Sequence, residues 1–111
     1  MTDPAAKITD RIEAIWRASR PTVLERVAIL QTTHRSLTAN PDDTPARESG
    51  REAAHKLAGI LGVFGLPRGS ELASEIETHL KGSEVLTPEI LAALGTLIQE
   101  LDQVVASKSA S

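Results

Sequence analysis

Ala54-His55-Lys56-Leu57-Ala58-Gly59-Ile60-Leu61-Gly62-Val63-Phe64-Gly65 puts one histidine inside a run of helical spacing, with glycines four, seven and ten residues after it. A glycine inside a helix costs roughly 1 kcal/mol relative to alanine. With about 100° of rotation per residue and His55 as the origin, Gly59 falls near about +40° and Gly62 near about −20°. Arg51, Glu48 and Glu52 fall on the same side, at about −40°, +20° and +60°. Ala53, Leu57, Ile60, Leu61 and Phe64 occupy the opposite sector, about 140° to 240° away. The histidine therefore faces solvent, opposite a packing stripe, and two glycines clear space beside its ring. A helix that gives up stability to clear space around one imidazole implies that something must reach that imidazole.

Punctuation on either side divides the chain into five helical segments. Thr44 is positioned to cap the helix that carries His55, with Pro45 first inside it, and Gly65-Leu66-Pro67 ends it. Upstream, Asp3 and Pro4 open a first segment in which Ile8, Ile12, Ile15 and Trp16 form a stripe, and Pro21 closes it. A second segment runs from about Pro21 to Leu37 on the stripe Val23, Val27, Leu30, His34 and Leu37. Asn40-Pro41-Asp42-Asp43-Thr44 reads as a loop. A fourth segment spans about Arg68 to Lys81, with Leu72, Ile76 and Leu80 inward and Gly82 as its stop. Thr87-Pro88-Glu89 starts a fifth on Leu91, Leu94, Leu97, Ile98, Leu101 and Val105. Short loops between amphipathic helices make antiparallel neighbours. The expectation is an all-α antiparallel up-down-up-down four-helix bundle with an additional N-terminal helix. It forms a single domain over residues 1–106, followed by a disordered tail over 107–111.

Composition narrows the function. At 111 residues the chain holds one modest core, and with Trp16 and Phe64 its only aromatics that core must be aliphatic. Without cysteine there is no disulfide framework and no thiolate metal site, which fits a cytoplasmic protein. No unbroken apolar run approaches the roughly 20 residues of a membrane span, and the N-terminus is not a secretory signal. The net charge of −3 is built from mixed signs with no basic run, which argues against nucleic acid. His34 lies in an apolar stripe and reads as structural. His79 reads as a boundary residue. One E-x-x-H pair, Glu52 to His55, faces outward without a second copy, so no metal site is expected.

The stretch resembles the histidine-containing phosphotransfer (HPt) domain of two-component phosphorelays. That family carries a helical histidine with an apolar residue at +2, glycine at +4 and small residues at +7 and +10. Here those positions are His55, Leu57, Gly59, Gly62 and Gly65, and a further amphipathic helix, Leu72-Ala73-Ser74-Glu75-Ile76-Glu77, follows. The resemblance implies that His55 takes a phosphoryl group on Nε2 from a receiver-domain aspartate and returns it to another. The chain would then be a phosphotransfer intermediate, not a self-sufficient enzyme, and a monomer. It would need no cofactor of its own, the Mg²⁺ being carried by the receiver. An imidazole ionises near about pH 6.5, so much of it is a free nucleophile at neutral pH. Many members have lysine at +3, where this chain has Ala58. Positive charge must then come from Arg51 or Lys56, or from Lys81 or Arg68 on the next helix, while Glu48 and Glu52 oppose a phosphate unless they pair with those cations. Val63 with Leu66 is a candidate docking patch. The alternative reading is a helical adaptor that docks receiver or kinase domains without carrying phosphate.

Overall fold

The computed structural model describes residues 4–110, with side chains from 7 to 108. Among these residues there are four helices and no strand: α1 Pro4–Ala39, α2 Thr44–Val63, α3 Pro67–Lys81 and α4 Pro88–Ala110. The expected cap at Asp3 lies outside the described residues.

α1 is one helix where two segments were expected. Pro21 sits inside it. A proline interior to a helix removes one hydrogen bond and costs about 3 kcal/mol. The break does not form because the buried stripe stays in register through it. Trp16, Val23, Val27, Leu30 and Leu37 all reach the core, and the step from Trp16 to Val23 is two helical turns. Each such burial is worth roughly 1.5–3 kcal/mol, so keeping both flanks on one straight helix outweighs the lost bond. The ring of Pro21 itself lies on the solvent side. At about 1.5 Å per residue the helix spans roughly 54 Å, close to the molecule's full length of 59 Å. A separate N-terminal helix therefore does not exist. Of its expected stripe only Trp16 is buried, while Ile8, Ile12 and Ile15 are 60%, 40% and 55% exposed. Phe64, at the end of α2, meets Trp16 edge-on at 5.1 Å, so Ile12 and Ile8, one and two turns earlier, lie beyond the α2 turn, while Ile15 points about 100° away from the buried Trp16.

The other helices follow their local signals more closely. Asp43, one residue before the expected Thr44, caps α2, its carboxylate accepting from the Ala46 amide at 3.1 Å. α2 ends in a Schellman turn: the Leu66 amide bonds the Leu61 carbonyl at 2.9 Å, the Gly65 amide bonds Gly62, and Gly65 adopts φ +70°. Thr87 caps α4 through the Ile90 amide. α4 continues to Ala110, past the expected tail boundary at residue 107. Lys108 holds that end, pairing with Glu13 at 3.4 Å and lying 5.3 Å from the centre of the Trp16 ring. By length and composition alone α4 could cross a membrane. Here its apolar face, Leu91, Leu94, Ile98, Leu101 and Val105, is buried in the bundle.

Each helix packs against its neighbours in sequence, and α4 closes on α1. Cross-contacts show their directions. Arg47 near the start of α2 reaches the end of α3, and Arg68 at the start of α3 pairs with Glu100 towards the end of α4. Three glycines let backbones approach closely: a Cβ on Gly50 would lie 2.5 Å from Thr33, one on Gly69 3.1 Å from Leu61, and one on Gly95 2.9 Å from His34.

Candidate functional site

α2 buries Ala53, Ala54, Leu57 and Leu61 against the other helices, and this anchoring turns His55 outward. Its side chain is 69% exposed. One ring atom is nevertheless fixed. Nδ1 lies 2.8 Å from Oε2 of Glu77 on α3. An ionised carboxylate can only accept, so Nδ1 donates, and the lone pair of the neutral ring is left on Nε2.

The register between α2 and α3 makes that contact possible. Gly69 seats α3 close against Leu61. The Ser70 hydroxyl donates to the Ala58 carbonyl at 2.7 Å, one turn from His55. At the other end the guanidinium of Arg47 donates to the carbonyls of Leu80 at 2.9 Å, Glu84 at 2.8 Å and His79 at 3.4 Å. The carbonyls of His79 and Leu80 are orphan acceptors at the C-terminus of α3, that of Glu84 lies in the loop after it, and a cation is well matched to such a helix end. With both ends pinned, Glu77 comes level with His55. Neither Glu77 nor Arg47 was singled out from the sequence. The hairpin itself carried the signal for Glu77: the chain turns at Gly65, His55 precedes it by ten residues and Glu77 follows it by twelve.

The expected cations divide. Arg51 is one turn before His55 and bonds Glu48 with Nε at 3.0 Å from both carboxylate oxygens. This pairing holds the Glu48 carboxyl below the usual carboxylate range and raises the Arg51 guanidinium further. Lys56 bonds Glu52 at 2.8 Å, and that hydrogen bond likewise lowers the Glu52 carboxyl. The two glutamates are thus engaged with the cations of their own helix. Arg68 is drawn to α4, with Nη2 2.8 Å from Glu100, so the structure does not bring it to His55. Lys81 is exposed on α3, one turn past Glu77.

The two glycines beside His55 play no part in packing. A Cβ on Gly59 would meet nothing within 4 Å, and one on Gly62 would make an ordinary 3.6 Å contact with Ser70 Oγ. Of the expected docking pair, Val63 is 76% exposed, whereas Leu66 is half-buried and packs on the core. His34 is half-buried with Nε2 2.8 Å from the Leu91 carbonyl. His79 is half-buried, and its carbonyl accepts from Arg47.

An exposed helical imidazole with one nitrogen tethered, Arg51 one turn before it and bare glycine beside it can meet a group delivered from outside. Residues 10–105 match the family model described as Hpt domain. The chain is 34% identical over 88 residues to Protein RcaC of Microchaete diplosiphon, a stretch that covers 79% of this chain and 14% of RcaC. No solved structure matches. Hpt domains carry phosphoryl groups on histidine in phosphorelays, working with receiver domains and histidine kinases, and the match across nearly the whole of this four-helix chain makes it a member of the Hpt domain family.

Proposed function

We propose that His55 accepts a phosphoryl group from an aspartyl phosphate on one receiver domain and passes it to an aspartate on another. The observation that carries this reading is the exposed ring of His55 tethered through Nδ1 to Glu77 at 2.8 Å. Nε2 attacks phosphorus in line, the P–N bond forms, and the P–O bond to the donor aspartate breaks, releasing a carboxylate. The Nδ1 proton stays in place, so the phosphorylated ring is an imidazolium facing the Glu77 carboxylate. Return of the phosphoryl group runs the same steps backwards to a second aspartate. Glu77 acts as a positioning residue: it selects the tautomer, orients the ring and opposes the charge that develops on it. Gly59 and Gly62 admit the receiver surface, and the Mg²⁺ belongs to that partner, with no cofactor on this chain. The scaffold is an up-down-up-down bundle in which α1 supplies one full-length wall.

The test is transfer from a purified phosphorylated receiver. The wild-type chain should gain an acid-labile, base-stable label within seconds to minutes, while acetyl phosphate alone labels it poorly. His55→Gln should take none. Unchanged labelling of His55→Gln overturns the assignment. Tight receiver binding without any transfer favours a docking adaptor instead. Glu77→Gln should retain labelling with an altered pH profile, because an amide still accepts from Nδ1 but brings no charge.

A further inference from the structure

Phosphorylating His55 would place a dianion beside the Glu77 carboxylate, on a helix that offers two candidate cations of its own, Arg51 and Lys56. Those cations are not equivalent. Lys56 lies about 100° around α2 from His55. It borders a small cleft of about 160 Å³ together with Arg26, Ile29 and Ser49, on the α1 side of the helix. Arg51 lies only about 40° from His55, one turn before it, on the side where α3 packs. The guanidinium therefore starts from the same face of α2 as the imidazole, on the side from which Glu77 reaches Nδ1.

The Arg51–Glu48 pair is also built unevenly. The arginine side chain is 32% exposed and the glutamate 62%. The cation is seated on the helix surface, while its partner reaches in from solvent. Exposed pairs at this spacing are weak, whereas a guanidinium binds a phosphoryl group through two parallel charge-assisted bonds. A phosphoryl group on Nε2 can therefore displace Glu48 without moving the arginine stem far.

Building on the phosphotransfer reading of His55, we infer that Arg51 is the residue that binds the phosphoryl group, that Glu48 holds Arg51 in reserve until the group arrives, and that Lys56 takes no part. In the free protein Glu48 neutralises a cation that would otherwise sit exposed beside the histidine. In the phosphorylated protein Arg51 turns from Glu48 to the phosphoryl oxygens and Glu48 swings into water. Glu48 thereby competes with the phosphoryl group and sets how far transfer lies towards the histidine.

The experiment uses the full chain with a phosphorylated receiver as donor. It measures the fraction of phosphohistidine at equilibrium and the ³¹P shift of that group in wild type, Arg51→Gln, Arg51→Lys, Glu48→Gln, Lys56→Gln and His55→Gln. Circular dichroism checks that each variant is folded. Arg51→Gln should lower the phosphohistidine-to-phosphoaspartate ratio by about tenfold, the scale of one charge-assisted hydrogen bond, and move the ³¹P shift. Arg51→Lys should restore part of it. Glu48→Gln should raise the ratio severalfold, which a merely structural pair would not do, and Lys56→Gln should leave it unchanged. Full labelling of Arg51→Gln, or a loss in Lys56→Gln equal to that in Arg51→Gln, overturns this inference while an unlabelled His55→Gln keeps the reading of His55. A wild-type chain that takes no label, or a His55→Gln that labels normally, overturns both.

Discussion

His34 and His55 each have one ring nitrogen held at 2.8 Å, His34 by the Leu91 carbonyl and His55 by Glu77, and each has a glycine nearby. The glycines serve opposite ends. Gly95 is bare because the His34 ring occupies the place of its Cβ, 2.9 Å away, whereas the space over Gly59 is empty. One glycine admits a neighbour from its own chain and the other leaves room for a visitor. A glycine next to a histidine therefore says little until the place of its missing Cβ is known to be filled or open.

That contrast can be broken in several ways. The largest effect separates the rings by function: His55→Gln should abolish phosphoryl labelling while changing stability by less than about 1 kcal/mol, since an exposed pair contributes little. His34→Ala should do the reverse, keeping the label in the folded protein and lowering the melting temperature as the α1–α4 contact loses its hydrogen bond and packing. Next come the glycines. Gly50→Ala and Gly95→Ala overfill tight contacts and should each lower stability by about 1–3 kcal/mol in denaturant melts. Gly59→Ala should move stability the other way, upward by up to about 1 kcal/mol, because the helix gains propensity and meets no clash. Gly59→Leu should slow transfer from a receiver without unfolding the bundle, and if it transferred at the wild-type rate the open face would not be the docking face.

The smallest effect is a titration. Glu48 is held below the usual carboxylate range by Arg51. A depressed carboxylate stabilises the fold above its ordinary pKa and loses that contribution as pH falls through the lowered value. An NMR titration of the Glu48 carboxyl should show the low midpoint in wild type and a rise towards the ordinary range in Arg51→Gln, with a barely detectable change in stability because a surface ion pair is screened by solvent.

Much of this arrangement was legible beforehand because it is local. Rotation about one helix decides that His55 opposes Leu57, Leu61 and Phe64, and the structure buries those three. Gly65 as the end of α2, Gly82 after α3 and Thr87 before α4 depend on backbone groups a few residues away. The misses are equally instructive. Pro21 reads as a helix end, and only the burial of Trp16 and Val23 on a shared stripe shows why it is tolerated. Ile8, Ile12 and Ile15 read as a stripe, yet α2 turns back before it can cover Ile8 and Ile12, and Ile15 points away from the face that buries Trp16.

The sequence by itself determined that this chain is helical, where its later helices stop, and that one histidine stands outward with glycines beside it, since all of these follow from 3.6-residue periodicity and short-range capping. Tertiary structure alone decided that Glu77 holds Nδ1, that Arg47 closes the end of α3, and that Arg68 pairs with Glu100 on α4 and does not reach the imidazole. Those pairings join residues 22, 33 and 32 positions apart. Such contacts depend on how closely α3 seats on its neighbours, a separation set by Gly69 and Ser70, and on no pattern within a single helix.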